Sequence, residues 1–204
     1  MTVTRWWLIR HAPVINPDHR VYGRSEVPAD LSGTAALAAL RAVLPAGARW
    51  LTTALSRTRD TAVALGGVDP VVEPDLLEQD FGVWQGMTWD AIATVHPQTS
   101  ARFWDDPVAS APAGGESFES VVRRAQAALL RHSHEPGDVV AVIHAGPIRA
   151  AVAVALGIPA AHVLPVRIDP LSLTRLDRVS VAGGNPVWRL CGINLPPGAA
   201  LSPP

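Results

Sequence analysis

The pattern of hydrophobic and polar positions predicts two strands that each end at a histidine. Residues 3–9 are rich in β-branched and aromatic side chains, which is typical of a strand, and they lead directly into Arg10 and His11. Residues 138–143 have the same character and lead into His144. Ligands of open α/β sheets bind at the carboxyl ends of the strands. We therefore expect the two histidines to share one pocket.

The rest of the chain alternates between strand-like and helix-like segments. Further strands are predicted near residues 49–53, 70–73, 163–168, 172–177 and 187–191, and helices over 35–44, 57–65, 88–95, 116–132 and 148–156. Ser32 and Ser56 are predicted to cap helices, and Pro147 to be the first residue of the last one. This order predicts an α/β fold, a three-layer α-β-α sandwich. Its sheet should be mostly parallel, with an antiparallel edge where the late strands follow one another without helices.

Composition narrows the class of protein. The 204 residues fit one domain over 1–195, followed by a Pro-rich tail over 196–204, and 48% hydrophobic residues suit a globular core. A net charge of −1 offers no basic field for nucleic acid. The apolar stretch 148–166 contains Arg149 and two prolines, so a buried helix and strand are predicted there instead of a membrane span. The single Cys191 and the lack of a secretory signal favour the cytoplasm.

The polar residues that stand out together fit phosphoryl transfer. A neutral imidazole such as His11 can attack phosphorus and form a phosphohistidine. The planar guanidinium groups of Arg10 and Arg57 match phosphate oxygens in a bidentate way, and a protonated His144 adds another donor. Glu78 can protonate a leaving alkoxide if the anionic phosphate and burial raise its pKa. Because these cations neutralise phosphate, we expect no metal and no cofactor.

Each of these residues also has a plainer interpretation. Arg57 can pair with Asp60 along its helix, Glu78 can be a solvated loop carboxylate, and His144 can be a core histidine. The pair His132 and His134 resembles a metal-binding spacing, but a helix C-terminus that favours cations explains it better. The functional interpretation depends on the combination of residues.

That combination resembles the histidine phosphatase superfamily, which has the phosphoglycerate-mutase-like fold. The family's Arg-His-Gly motif corresponds to Arg10-His11-Ala12, and its second arginine segment corresponds to 53–62 around Arg57. The loop of the family's acid corresponds to 78–86, which begins at Glu78. A Gly-Gly-Glu-Ser turn occupies 114–117, and the second histidine lies in 142–149. These matches occur in the family's order from the first strand to about Leu156.

The resemblance implies a role for each matching residue. His11 is the nucleophile, Glu78 is the proton donor, and Arg10, Arg57 and His144 form the phosphate pocket. Ala12 and Ala145 replace glycines of the family pattern and add methyl groups near the pocket. Pro13 for glutamate and Pro17 for asparagine put an auxiliary phosphate contact in doubt, and Gln85 replaces a further glutamate.

The expected activity is hydrolysis of a small phosphomonoester, with no nucleic-acid or membrane partner. The loop 13–28 and the chain length resemble α-ribazole phosphatases, which makes α-ribazole 5′-phosphate one candidate substrate. A phosphomutase and a non-catalytic phosphate-binding module are the alternatives. Several further residues are candidates for substrate contact, namely Asn16, Arg20, Arg24, Trp84 and Trp104.

Overall fold

A six-stranded sheet forms the centre of the computed structural model, in which residues 1–199 are described. The strands are β1 (Thr2–Arg10), β2 (Arg49–Thr52), β3 (Val71–Val72), β4 (Gly137–Ile143), β5 (Leu173–Ser180) and β6 (Val187–Leu195). Their order across the sheet is β3-β2-β4-β1-β5-β6. The first four strands in this order, β3, β2, β4 and β1, are parallel to one another, whereas β5 is antiparallel to both β1 and β6. The mostly parallel sheet with an antiparallel edge is thus confirmed.

Six α-helices accompany the strands among the described residues. They are α1 (Thr34–Val43), α2 (Ser56–Ala64), α3 (Trp89–Val95), α4 (Pro97–Asp105), α5 (Phe118–His132) and α6 (Ala145–Leu156). α1 and α2 contribute to one hydrophobic cluster and α5 and α6 to another. No helix among residues 1–199 is long and apolar enough to cross a membrane.

The two faces of the sheet carry these separate clusters because successive strand residues point in opposite directions. In β1, Trp6 and Leu8 pack in the cluster with α5 and α6. Trp7 and Ile9 pack in the cluster with α1 and α2. Burial on both faces explains why β1 and β4 are nearly continuous hydrophobic runs. The three-layer α-β-α arrangement is therefore confirmed.

A third, smaller cluster is built around the two short helices α3 and α4. Trp84 and Phe103 pack edge to face, with ring centroids 5.2 Å apart, together with Val21 and Ile92. Trp84 is almost fully buried. The aromatic side chains of this cluster hold the segment after Glu78 against α3 and α4.

Several predicted local features are wrong. Residues 163–168 form no strand; a short 3₁₀ helix spans Ala160–Val163 and an irregular segment follows. Helix α4 was not predicted. Gly33 and Leu55, and not the two serines, occupy the N-cap positions of α1 and α2, and α6 begins at Ala145, two residues before Pro147.

The predicted domain limit coincides with the end of a strand, because β6 ends at Leu195. Of the predicted tail over 196–204, residues 200–204 lie outside the described residues.

Candidate active site

Three adjacent parallel strands bring their carboxyl ends to one place on the sheet. Arg10 in β1 lies opposite Ile143 in β4, and the backbone N–H of His11 donates to the carbonyl of Ile143 at 3.0 Å. His144 therefore follows β4 directly beside His11. The ring centroids of the two histidines are 5.3 Å apart. The expectation that both histidines share one pocket agrees with this geometry.

The imidazole of His11 is oriented by a backbone contact. Its Nδ1 lies 2.7 Å from the carbonyl oxygen of Ala12, so Nδ1–H donates and the lone pair is placed on Nε2. Burial, together with the positive charges of Arg57 and Arg10, lowers the pKa of His11 to about 3. His11 is therefore a neutral imidazole with a free nitrogen near neutral pH, which is the form that acts as a nucleophile.

His144 is held by a chain of hydroxyl groups. Its Nε2 lies 3.0 Å from Thr53 Oγ1, which lies 2.9 Å from Thr58 Oγ1. Thr58 in turn donates to the carbonyl of Leu55 at 2.8 Å. The chain is self-consistent when His144 Nε2–H donates to Thr53 and Thr53 donates to Thr58. Burial and the neighbouring His11 and arginines lower the pKa of His144.

The remaining nitrogen of His144 has no partner. His144 is fully buried, and its Nδ1 makes no hydrogen bond within residues 1–199. A buried polar atom without a partner is costly, so such atoms are uncommon outside functional sites. A protonated oxygen of a ligand placed beside Nδ1 would supply the missing hydrogen bond.

Arg10 and Arg57 present guanidinium groups that are fixed by backbone carbonyls. Arg57 is fully buried and donates to the carbonyls of Gly23 at 2.6 Å and Ser25 at 2.8 Å. Its guanidinium carbon lies 4.9 Å from the ring centroid of Tyr22. Arg10 donates from Nη1 to the carbonyl of Ile168 at 2.6 Å.

Neither of these arginines is neutralised by an ion pair within residues 1–199. The Nε atoms of both are buried without a hydrogen-bond partner in that part of the chain. Burial lowers the pKa of Arg57, and guanidinium stays protonated in proteins. One fully buried and one half-buried cation with free N–H groups thus form a site for an anion.

The Glu78 carboxylate contacts the first turn of α6. Its Oε1 accepts the backbone N–H of Gly146 at 3.1 Å and that of Gln79 at 2.9 Å. A Cβ atom at position 146 would collide with this carboxylate oxygen. Glycine at 146 therefore leaves room for the Glu78 carboxylate beside the start of α6, two residues after His144.

A charged network holds the backbone of Glu78. The guanidinium groups of Arg24 and Arg124 each donate to the carbonyl of Glu78 at 3.1 Å. Both arginines also contact Glu116 Oε1 at 2.8 Å. Arg24, one of the candidates for substrate contact, is thus engaged in positioning Glu78. The sequence did not single out Arg124, because a helical arginine acquires this role only through its distant partners.

The Gly-Gly-Glu-Ser turn at 114–117 lies directly against the backbone of the loop that follows Glu78. A Cβ atom on Gly115 would lie 2.5 Å from the carbonyl oxygen of Asp80. Ser117 caps α5 by accepting the N–H of Ser120. The motif therefore places Glu116 against Arg24 and Arg124 at the start of a helix.

A cavity of about 350 Å³ opens above these groups. The residues that line it include Arg10, Tyr22, Gly23, Glu78 and Ala145. His11 is only 2% exposed beneath this lining. A ligand must therefore pass between these side chains to reach Nε2 of His11. Of the five residues predicted to form the site, Arg10 and Glu78 line this cavity, whereas Arg57 and His144 are fully buried.

The other candidates for substrate contact differ in where their side chains lie. Arg20 lines the same cavity, although its side chain is engaged by Asp18 and by the Gly86 carbonyl. Asn16 instead turns towards the backbone of Arg20. Trp84, for which core packing is the default interpretation and substrate contact the alternative, is a core residue. Trp104 lies in α4 and lines a second cavity beside the first.

His132 and His134 do not form a metal centre. His132 Nε2 lies 2.7 Å from Glu73 at the end of α5. Among residues 1–199, no group of three or more histidine, cysteine, aspartate or glutamate side chains is arranged to hold a metal ion.

Sequence reasoning missed the threonines of α2 and the segment before it. Thr53 contacts His144 and is itself held by Thr58, and Thr61 accepts the backbone N–H of Ala12 at 3.0 Å. Helix α2 therefore orients both histidine segments as well as carrying Arg57. The feature of the sequence that indicates this positioning role is the cluster of hydroxyl residues around Arg57, on a helix that has little apolar surface.

Comparison with known proteins agrees with this geometry. Residues 6–190 match the model of the histidine phosphatase superfamily, branch 1. The chain is 31% identical over 182 residues to the bifunctional protein Rv2228c of Mycobacterium tuberculosis, a match that covers 85% of this chain and 50% of that protein. The chain thus spans about half the length of the first curated relatives that it matches.

A second relative matches over most of both chains. The glucosyl-3-phosphoglycerate phosphatase of Mycolicibacterium vanbaalenii is 32% identical over 175 residues, covering 78% of this chain and 77% of that protein. Among solved structures, a putative α-ribazole-5′-P phosphatase from Escherichia coli superposes with a TM-score of 0.80. It is 22% identical, covers 94% of this chain and 96% of its own, and shows the shared fold. The chain belongs to the histidine phosphatase superfamily.

Proposed function

We propose that this protein is a phosphomonoesterase in which His11 forms a covalent phosphohistidine. The observation that carries the proposal is the state of His11. Its Nδ1 is engaged by Ala12, its pKa is held at about 3, and its Nε2 is free. Such an imidazole needs no separate base, because it has no proton to lose before it attacks.

In the first step, the lone pair of His11 Nε2 forms a bond to phosphorus. The bond between phosphorus and the ester oxygen breaks, and its electron pair leaves with that oxygen. Glu78 in its acid form transfers a proton to the departing alkoxide, so the product leaves as a neutral alcohol. Arg10 and Arg57 hold the non-bridging oxygens during the transfer.

In the second step, water replaces the imidazole. The Glu78 carboxylate accepts a proton as the water oxygen bonds to phosphorus, and the bond from phosphorus to Nε2 breaks. Inorganic phosphate leaves, and both His11 and Glu78 return to their starting states. One carboxyl group therefore serves as acid and then as base, which its position beside the start of α6 allows.

His144 is proposed to stabilise the transferred phosphoryl group. The free site keeps His144 neutral, because burial and three nearby arginines oppose a further positive charge. A bound phosphate dianion offsets that charge and favours protonation at Nδ1, the buried atom that lacks a partner. The resulting N–H then donates to a phosphoryl oxygen as charge develops.

The arginines and His144 already supply the positive charge that phosphoryl transfer needs. We therefore propose that turnover requires no metal ion. The substrate is proposed to be a small phosphorylated metabolite, and the single, unpaired Cys191 is compatible with the reducing cytoplasm, where we place the reaction.

The test is phosphate release by the purified protein in EDTA. The panel contains p-nitrophenyl phosphate, sugar phosphates, α-ribazole 5′-phosphate and 3-phosphoglycerate, ranked by kcat/KM. We expect metal-independent release from several of these esters. Activity that returns only with added Mg²⁺ contradicts the mechanism.

A phosphomutase is distinguished in the same assay. With 3-phosphoglycerate and a bisphosphate primer, a mutase yields 2-phosphoglycerate without net phosphate release, whereas the proposed phosphatase yields glycerate and phosphate. Binding of phosphate without turnover of any ester identifies a non-catalytic module.

A further inference from the structure

Arg10 is held by a turn, residues 168–171, that precedes the antiparallel edge of the sheet. Its Nη1 donates to the carbonyl of Ile168 at 2.6 Å, and its own carbonyl accepts the N–H of Leu171 at 3.0 Å. Leu171 has a φ of 58°, a left-handed conformation that a leucine adopts only where surrounding contacts hold the backbone. The position of the Arg10 guanidinium therefore depends on what holds this turn.

Asn194 holds the turn from the last strand of the sheet. Its Oδ1 accepts the backbone N–H of Asp169 at 2.6 Å, and its Nδ2 donates to the Asp169 carboxylate at 3.0 Å. One side chain thus fixes both the backbone and the carboxylate of the residue that follows Ile168.

The backbone of β6 is distorted at Asn194. Residues 192–195 of β6 lie opposite residues 173–175 of β5, so β6 contains one extra residue there. Asn194 has a φ of 49°, which asparagine adopts more readily than most residues, and its N–H donates to Thr174 Oγ1 at 3.2 Å. Extra residues of this kind re-aim side chains next to functional sites. The distortion therefore coincides with the contact between Asn194 and the turn that holds Arg10.

Asp169 carries a negative charge close to Arg10. The hydrogen bonds from Asn194 and Arg167 lower the pKa of Asp169, and the charges of Arg167 and Arg10 lower it further, so Asp169 is ionised at neutral pH. Within the described part of the chain, no ion pair joins Asp169 to Arg10, whose Nη1 binds the carbonyl one residue earlier. The Asp169 side chain is 43% exposed, so packing alone does not hold its carboxylate in place.

Two groups restrain this carboxylate, and they differ in strength. Arg167 Nε lies 2.7 Å from Asp169 Oδ1, but the Arg167 side chain is 82% exposed. Ion pairs of exposed side chains contribute little, because water and salt screen them. Asn194 is half-buried and belongs to a strand, so it is the more constant restraint.

We propose that Asn194 is a positioning residue that keeps the Asp169 carboxylate away from Arg10 and so leaves the Arg10 guanidinium for the phosphate of the substrate. This inference rests on the phosphate-binding role that the proposed function gives to Arg10. Without Asn194, the Asp169 carboxylate pairs with the guanidinium and competes with phosphate for the same N–H groups. Asn194 itself does not line the cavity above the histidines, so it acts through Asp169 and Arg10.

The test is a double-mutant cycle that begins with Asn194→Ala. This variant should bind inorganic phosphate about 5- to 50-fold more weakly, somewhat less than the loss of a whole hydrogen bond to a charged group. kcat/KM for p-nitrophenyl phosphate should fall by a similar factor, mainly through KM, because Arg10 also binds the phosphate before the reaction. Isothermal titration calorimetry and steady-state kinetics measure the two effects.

Adding Asp169→Asn distinguishes a restrained charge from structural support. Asparagine at 169 has no negative charge to place on Arg10, so the double variant should bind phosphate within about threefold of Asp169→Asn alone. Both variants that lack Asn194 lose its hydrogen bonds, so thermal unfolding should not show the recovery that phosphate affinity shows. A loss of affinity that persists in the double variant would mean that Asn194 only supports the turn, and would overturn the proposal.

Two single variants are the controls. Asn185→Ala removes the same side chain from the exposed connection between β5 and β6, at the opposite edge of the sheet, and should bind phosphate as the wild type does. Arg167→Met removes the exposed partner of Asp169 and should weaken phosphate binding less than Asn194→Ala. A larger effect of Arg167→Met would assign the restraint to Arg167 and overturn the role of Asn194.

The outcomes separate this inference from the proposed function. Unchanged phosphate affinity in Asn194→Ala overturns the inference and leaves the phosphatase intact. Phosphate affinity is measured without turnover, so its recovery in the double variant supports the inference even if the protein hydrolyses no phosphomonoester. That absence of hydrolysis would overturn the proposed function itself.

Discussion

His144 Nε2 lies 3.0 Å from Thr53 Oγ1, and this contact joins the end of β4 to the end of β2. The hydroxyl of Thr53 continues to Thr58 in α2, so one chain of hydrogen bonds fixes the ring and its proton. In this arrangement the proton of the neutral imidazole lies on Nε2. Nδ1 is then left to receive a proton when phosphate binds. Thr53 is a positioning residue that acts through His144.

Thr53→Val tests this role. The substitution leaves the buried His144 Nε2–H without an acceptor, which costs about 1–3 kcal/mol. If that loss falls on the transition state, kcat decreases about 5- to 150-fold with a smaller change in KM. Steady-state kinetics with p-nitrophenyl phosphate measure the two constants. Thr53→Ser keeps the hydroxyl and should restore most of kcat; equal defects in the serine and valine variants exclude the hydrogen bond as the cause.

Glu78→Gln tests the proton donor through the leaving group. Glutamine keeps the shape of the side chain but cannot deliver a proton. Hydrolysis of an alkyl phosphate, whose alkoxide needs that proton, should slow by about 10²- to 10⁴-fold. p-Nitrophenyl phosphate has a stabilised leaving group and should be affected less in the formation of the phosphoenzyme. Single-turnover rates for both substrates measure this step.

The comparison has a built-in control, because the affinity for inorganic phosphate should change little in the same variant. Equal rate losses for the alkyl and aryl phosphates would identify another acid, with Asp80 the nearest carboxylate along the loop, or a purely structural role for the loop.

The low pKa of His11 predicts a pH dependence of stability. Its folded-state pKa of about 3 lies below the ordinary value of 6.5, so the unfolded chain binds more protons between these values. Stability therefore falls as the pH decreases below 6.5. Linkage gives a loss of about 2 kcal/mol between pH 7 and pH 5 from this residue.

Denaturant unfolding of the wild type and His11→Gln at pH 7 and pH 5 measures this contribution. Subtracting the two proteins removes the effects of the groups that titrate independently of His11. We expect the variant to lose less stability on acidification. An identical loss in both proteins would mean that His11 titrates normally in the folded state.

The sequence predicted the parts of the site that local patterns reveal. β1 and β4 are apolar on both faces, and each is followed at once by a histidine. The sequence therefore predicts that both histidines lie at the same edge of the sheet. Arg57 and Glu78 were found through their motifs. Thr53, Arg124 and Asn194 were missed because their partners lie far along the chain, and neither periodicity nor composition records such contacts.

The errors in the fold have similar causes. Residues 163–168 are apolar enough for a strand, but the antiparallel edge is taken by β5 and β6, and the segment instead passes beside Arg149, whose Nε binds the Val166 carbonyl. Helix α4 begins at Pro97 and is short, and its Phe103 is buried only in the aromatic cluster with Trp84. Tertiary packing therefore determines the secondary structure of both segments.

The most direct test of the account is the capture of a phosphoenzyme. Rapid mixing with a ³²P-labelled phosphomonoester and quenching in base should trap phosphate on the wild-type protein as an acid-labile, base-stable adduct that maps to His11. His11→Ala should carry no label and show no turnover. Label that persists in His11→Ala, or turnover by the wild type without any labelled protein, would contradict catalysis through a phosphohistidine at this residue.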